Sequence, residues 1–128
     1  VYLEHGDSRV TAASWYGATM PPLSVDWHIT DKMQSIEISN NRLTAYHCPG
    51  HSPGSMVLVT QLENQTILFG QDIHGPLHTD LLSDRQQYLR SLKFIMDLNA
   101  DILCEGHFGV YRGKSRVKQF IGGYLTDE

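Results

Sequence analysis

The stretch CPGHSPGS, residues Cys48–Ser55, is the most informative part of this 128-residue sequence. It places one histidine, His51, between two proline- and glycine-containing turns. A predicted strand ends before the stretch at His47, and another begins after it at Met56. Such a loop holds its side chains at the rim of a sheet, where functional residues are concentrated. His51 is therefore the first candidate site residue.

Residue patterns on both sides of this loop predict β-hairpins in the first half of the chain. Alternation of apolar and polar residues predicts four strands, over Gln34–Ser39, Arg42–His47, Met56–Thr60 and Thr66–Phe69. Tight turns are expected at Asn40-Asn41 and around Glu63-Asn64-Gln65, because asparagine tolerates positive φ. Before the hairpins, we expect a short strand over Val1–His5 and a short helix over Thr11–Tyr16.

The second half of the chain has the periodicity of helices. Ser83, with Gln86 three residues later, predicts a capped helix start. The apolar stripe of this helix consists of Tyr88, Leu92, Ile95 and Met96. The apolar run Ile102-Leu103-Cys104 predicts a buried strand, and Ser115 is expected to cap a final helix. Hairpins followed by helix, strand and helix predict an α/β sheet layered by helices on at least one face, within a single domain over residues 1–128.

Two more polar residues follow predicted strands at glycine-containing turns. Asp72 comes directly after Leu68–Gln71, and His107 comes after Leu103–Gly106. Each residue alone is more often an ordinary loop or turn former. Together with His51, however, they supply two imidazoles and a carboxylate, a donor set that suits a borderline divalent ion such as zinc. An aspartate can also bridge two ions, because each of its oxygens can bind one of them.

These stretches resemble motifs of the metallo-β-lactamase superfamily, especially its glyoxalase II-like hydrolase branch. The stretch Cys48–Ser55 is similar to the family's Pro-Gly-His-Ser/Thr-Pro-Gly-Ser motif, whose histidine binds a metal. The stretch Phe69–Asp72 is similar to Phe-x-Gly-Asp, whose aspartate bridges two metals, although Gln71 is inserted here. The stretch Glu105–Gly109 is similar to the last motif, whose histidine binds the second metal. The resemblance thus implies metal ligation by His51, Asp72 and His107, with Asp72 catalytic as the bridge.

The resemblance further implies an αββα sandwich, with a pair of zinc ions, or of iron or manganese, and hydrolysis by a metal-bound hydroxide. The bond attacked would be a thioester, lactone or similar ester of a small-molecule substrate. The family's leading His-x-His-x-Asp-His motif does not occur in the chain. We therefore expect the chain to be the C-terminal half of such a sandwich, mostly antiparallel sheet with flanking helices, and to be inactive alone. An iron-dependent oxidoreductase and a non-catalytic structural module remain alternatives.

Several other residues near these motifs are weaker candidates. His74 and His78 follow Asp72 closely and are expected on the substrate side, against the alternative of solvated loop residues. Tyr111 follows His107 and is considered for the same role. Ser52 lacks the Gly-x-Ser-x-Gly elbow of serine hydrolases, so a serine nucleophile is not expected.

Composition excludes several other classes of protein. Apolar residues make up 41% of the chain and charged residues 19%, which is typical of globular proteins rather than disordered ones. The net charge of −4 and the lack of a lysine and arginine cluster argue against nucleic-acid and membrane-surface partners. No apolar run is long enough to span a membrane. Two cysteines are too few for a disulfide scaffold, so we expect a cytoplasmic protein. An apolar sheet face also predicts a homo-oligomer.

Overall fold

Within residues 1–126, which the computed structural model describes, six β-strands form one sheet in the order β1-β2-β3-β4-β5-β6. The strands are β1 Met33–Ile38, β2 Asn41–His47, β3 Met56–Leu62, β4 Gln65–Phe69, β5 Ile102–Glu105 and β6 Gly109–Arg112. All neighbouring strands are antiparallel except β4 and β5, which are parallel. The predicted sheet, mostly antiparallel, is therefore confirmed.

The first hairpin turns one residue earlier than the sequence indicated. Ser39 and Asn40 have φ angles of 47° and 69°, and Ile38 pairs directly with Asn41. This register places Ile36 opposite Leu43, so that both apolar side chains lie on the same face. Two residues with positive φ form the compact loop that matches the twist of adjacent strands. Asn40 is therefore a turn residue as predicted, but its partner in the turn is Ser39, and Asn41 instead begins β2.

The helices are α1 Tyr2–His5, α2 Arg85–Asp97 and α3 Lys114–Gly122, with short 3₁₀ turns at Ala13–Tyr16 and Thr79–Leu81. The predicted strand over Val1–His5 is wrong. Gly6, at φ 67°, ends a helical turn there: its N–H donates to the Leu3 carbonyl, and the N–H of Asp7 donates to the Tyr2 carbonyl. The short helix predicted over Thr11–Tyr16 is confirmed as a 3₁₀ turn.

Both predicted helix caps differ from those in the structure. Asp84, not Ser83, caps α2, and its Oδ1 accepts the backbone N–H of Gln87 at 2.9 Å. Ser83 instead donates its hydroxyl to the carbonyl of His51. A carboxylate is the better cap because it is charged at the positive end of the helix. The last helix follows Gly113 without a side-chain cap, so the predicted role of Ser115 is wrong.

One hydrophobic core holds α2 and α3 against a single face of the sheet. Val57, Leu68 and Leu103 occupy adjacent strands on that face and are almost completely buried. The helices contribute the predicted stripes, of which Tyr88, Leu92, Ile95, Val117 and Ile121 are buried in the same cluster. The core therefore fixes the ends of the strands and the start of α2 relative to one another.

Candidate metal centre

The loops that follow β2, β4 and β5 meet at one edge of the sheet. These three strands run in the same direction, because β3 is antiparallel to both β2 and β4, and β5 is parallel to β4. The loops carry His51, Asp72 and His107, respectively. Beyond the end of β4, Gly70 still donates its N–H to the carbonyl of Cys104 at 2.9 Å. This bond holds the Asp72 loop beside the end of β5.

The carboxylate of Asp72 contacts both histidines, one through each oxygen. Its Oδ2 lies 3.1 Å from Nε2 of His51, and its Oδ1 lies 2.6 Å from Nε2 of His107. The structure therefore brings together the three residues that the motifs singled out. The side chains of His51 and Asp72 are 12% and 20% exposed, whereas that of His107 is 61% exposed. The group is thus open to solvent on the side of His107.

The ring of His51 is oriented by the loop that follows Asp72. Its Nδ1 lies 2.8 Å from the carbonyl oxygen of Pro76, an atom that can only accept a hydrogen bond. Nδ1 therefore carries a proton, and in the neutral ring Nε2 presents a lone pair to a carboxylate oxygen of Asp72. Two such acceptors attract each other only when a proton or a cation lies between them. The contact is therefore completed either by a proton, as in an imidazolium–carboxylate pair, or by a cation held between the two atoms.

A third histidine, His74, joins the group. One potential ligand atom from each of Asp72, His74 and His107 lies within 4.8 Å of the other two. Zinc binds imidazole nitrogen at about 2.0–2.1 Å, which places two ligands of a shared ion about 3–4 Å apart. The three atoms are therefore slightly farther apart than ligands of one ion, but near enough together to be candidate ligands. The sequence predicts His74 on the substrate side. Two spacings connect it with this group: His74 follows Asp72 by two residues, and His107 follows Glu105, the residue that contacts His74, by two residues.

Glu105 is the buried carboxylate of this centre. Its Oε1 lies 2.7 Å from Nδ1 of His74, and its Oε2 accepts the backbone N–H groups of His107 and Phe108 at 2.7 and 2.8 Å. Burial opposes ionisation of the carboxyl, but these hydrogen bonds outweigh it and lower its pKa below the usual value. Glu105 is therefore an acceptor at neutral pH. This role is not among those expected from the sequence, although Glu105 begins the motif stretch Glu105–Gly109.

Two of the weaker candidates lie elsewhere in the structure. The side chain of His78 accepts the N–H of Asp80 at the start of the 3₁₀ turn. Its ring packs edge to face against Trp15, with ring centroids 5.0 Å apart. Tyr111 packs against Phe120 of α3, with ring centroids 4.4 Å apart. Neither residue belongs to the cluster of potential ligands found among residues 1–126.

A small cavity adjoins the centre on the protein side. Its volume is about 30 Å³, and its walls include Cys48, His51, Asp72 and Tyr88. That volume holds one or two water molecules rather than an organic substrate. The open side of Asp72 is the one next to His107.

Solved structures share this arrangement of sheet and helices. A subclass B3 metallo-β-lactamase of Bradyrhizobium japonicum matches 96% of this chain and 56% of its own, with a TM-score of 0.69 and 14% identity. This chain carries part of the metallo-β-lactamase fold. A metallo-β-lactamase family protein from Thermus thermophilus matches 96% of the chain and 42% of its own, with a TM-score of 0.64 and 23% identity. A sec-alkyl sulfatase matches 81% of the chain and 18% of its own, with a TM-score of 0.65 and 13% identity.

These comparisons confirm the predicted metallo-β-lactamase fold, and the chain spans about half the length of the first two proteins. At such identities the likeness concerns the fold alone. No family model matches the sequence, and no curated protein matches it. Among the described residues, no helix has both the length and the apolar character needed to cross a membrane.

Proposed function

We propose that this chain supplies part of a two-metal site, and that the protein containing it is a metal-dependent hydrolase. The observation that carries the proposal is the carboxylate of Asp72, which directs one oxygen to His51 and the other to His107. A carboxylate shared in this way is suited to bridging two ions, which lie about 3.5–4 Å apart in two-metal enzymes. His51 would then hold one ion, His107 the other, and Asp72 both.

Zinc is the metal that we propose for this donor set. Imidazole nitrogens and a carboxylate oxygen bind zinc well, and the same donors also accept iron or manganese. When bound, such ions lower the pKa of water to about 7 and polarise a scissile carbonyl. The chain's own residues would hold and orient the site: the Pro76 carbonyl fixes the His51 ring, and the buried Glu105 fixes the loop of His107.

The proposed substrate is a small molecule with a thioester, lactone or similar ester bond. This proposal rests on the resemblance of the three motifs to the glyoxalase II-like branch, including the loop Cys48–Ser55. The matched structures are named as β-lactamases and as a sulfatase, so the fold itself is compatible with more than one substrate. Both cysteines are free thiols, which supports the cytoplasm as the proposed compartment.

Metal analysis combined with activity assays tests the proposal. Protein containing this chain should purify with bound zinc and hydrolyse a thioester or lactone in a chelator-sensitive manner. Asp72→Asn should lose both properties, whereas His5→Ala, which removes an exposed imidazole away from the site, should keep them. Bound iron with redox turnover would replace the proposal by the oxidoreductase alternative. Absence of both metal and turnover would favour a structural module.

A further inference from the structure

Glu105 contacts His74, a histidine to which the two-metal proposal gives no role. The Glu105 side chain has no exposed surface, and a buried charge is tolerated only when hydrogen bonds compensate its lost hydration. Both of its oxygens have partners: His74 on one side, and the backbone of His107 and Phe108 on the other. One buried carboxylate thus holds two imidazole-bearing segments of the site at once.

The contacts of His74 leave one of its ring nitrogens available. Nδ1 faces Glu105 at 2.7 Å, so it donates its proton there, and the neutral ring keeps a lone pair on Nε2. The ring also meets those of His107 and Phe108 edge to face, at 4.9 and 4.8 Å. Glu105 and these two rings restrict how His74 can turn. Its side chain is only 15% exposed, unlike that of a solvated loop residue.

We propose that His74 is a further ligand of the ion held by Asp72 and His107, and that Glu105 is its positioning residue. This inference rests on the proposed function and extends it by one ligand. The three potential ligand atoms already lie within 4.8 Å of one another. A carboxylate that accepts the Nδ1 proton of a metal-binding histidine fixes its tautomer and increases its basicity. Glu105 does this for His74 while its second oxygen anchors His107.

Cobalt(II) binding by the 128-residue chain provides the test. We expect the wild-type chain to bind Co²⁺ with a visible absorption spectrum. His74→Ala should weaken binding by about 100-fold or more, because a ligand is lost. Glu105→Gln should weaken it by about 10–100-fold, the usual effect of losing a partner behind a metal-binding histidine. The glutamine amide has a single accepting oxygen, so it cannot accept hydrogen bonds both from His74 and from the backbone of His107 and Phe108. His5→Ala is the matched control and should bind like the wild type, and circular dichroism checks that each variant is folded.

The outcomes separate this inference from the proposed function. If the wild type binds no Co²⁺, the proposed site is wrong and the role of His74 is wrong with it. If His107→Ala abolishes binding while His74→Ala binds like the wild type, the two-metal proposal stands and the inference on His74 is overturned. A spectrum of ¹⁵N-histidine-labelled wild type with Zn²⁺ needs no variant. The Nε2 signal of His74 should shift on zinc binding, and an unchanged signal would overturn the inference.

Discussion

Gly50 packs directly against the backbone of Tyr88. A β-carbon built on Gly50 would lie 2.2 Å from both the Cα and the backbone nitrogen of Tyr88, and Gly50 itself has a φ of 142°. Its carbonyl also accepts the N–H of Asp84 at 2.8 Å, just before α2 begins. The loop that presents His51 is therefore fixed to the N-terminus of α2 through a contact that leaves no space for a side chain.

The first prediction is that Gly50→Ala destabilises the protein and displaces the His51 loop. The new methyl group would overlap backbone atoms, which cannot move aside as a flexible side chain can, so we expect a loss of about 2–4 kcal/mol in the free energy of unfolding. Gly54→Ala is the matched control in the same loop. A β-carbon there meets no atom within 4 Å, so its stability should stay within about 0.5 kcal/mol of the wild type. Urea unfolding measures both, and equal midpoints would contradict the prediction.

Much of the fold was predictable because its signals are local. Two-residue periodicity marked the strands, and the 3.6-residue stripe of Tyr88, Leu92 and Ile95 marked α2. The shared edge of the site was predictable as well, since residues after parallel strand ends meet there. His51, Asp72 and His107 are accordingly in contact through Asp72.

The remaining features depend on contacts distant in sequence. The Nδ1 of His74 contacts Glu105, which lies 31 residues later in the sequence, and no periodicity relates the two residues. Ser83 satisfies the usual preference for a helix cap, but its hydroxyl bonds the carbonyl of His51, and Asp84 takes the cap instead. In each case tertiary structure decided between local alternatives of similar energy.

The second prediction concerns Cys48 at alkaline pH. Burial raises the pKa of this thiol from 9.0 to about 11. The unfolded chain therefore loses its proton at lower pH than the folded protein does. The contribution of the buried, protonated Cys48 thiol to the stability of the fold is complete below pH 9, and it declines as the pH rises towards about 11. Over this pH interval we expect ionisation of Cys48 in the unfolded chain to lower the free energy of unfolding by about 1–3 kcal/mol.

The pH effect of Cys48 is isolated by comparing variants. Urea unfolding at pH 8 and pH 10.5 gives the alkaline loss for the wild type, for Cys48→Ala and for Cys104→Ala. The alanine at position 48 should remove part of that loss, whereas the variant at position 104 should retain it. The same alkaline loss in all three proteins would contradict the prediction.

The third prediction is that the 128-residue chain alone hydrolyses esters weakly or not at all. Among the described residues, the centre offers His51, Asp72, His74 and His107, and two zinc ions with about four ligands each require more donors. With added Zn²⁺, the hydrolysis of thioesters and lactones should stay near the rate measured in buffer without protein. Fast, chelator-sensitive turnover by the purified chain would show that these residues suffice.

The fourth prediction applies to a longer protein in which the chain is active. Asp72→Ala should lower kcat/KM by more than about 100-fold, because the bridging carboxylate is lost from both ions at once. This effect should exceed that of removing a residue that only hydrogen-bonds to one metal ligand. His5→Ala should leave the rate unchanged. Metal content is measured alongside the rate, and a near-normal rate in Asp72→Ala would show that the motif around Asp72 has another role.

The sheet face turned away from α2 and α3 carries exposed apolar side chains. Phe69 alternates with the buried Leu68, so it points to that opposite face, where it is 40% exposed. Cys104 pairs with Phe69 and with Val110, and Val110 is 54% exposed on the same face. Ile36 and Leu43 extend this face across the first hairpin. Monomeric proteins seldom expose contiguous apolar patches beyond a few hundred Å².

The last prediction is that the 128-residue chain forms a dimer or larger oligomer through this face. A second copy would cover the apolar side chains, and two-fold pairing of identical surfaces is the commonest arrangement. Light scattering coupled to gel filtration should therefore give at least twice the monomer mass. Val110→Glu should shift the protein towards the monomer, because a carboxylate would be buried without a partner. Phe94→Glu, on α2 at the other side of the sheet, is the control and should leave the mass unchanged. A monomeric wild type that binds no dye for exposed apolar surface would contradict the prediction.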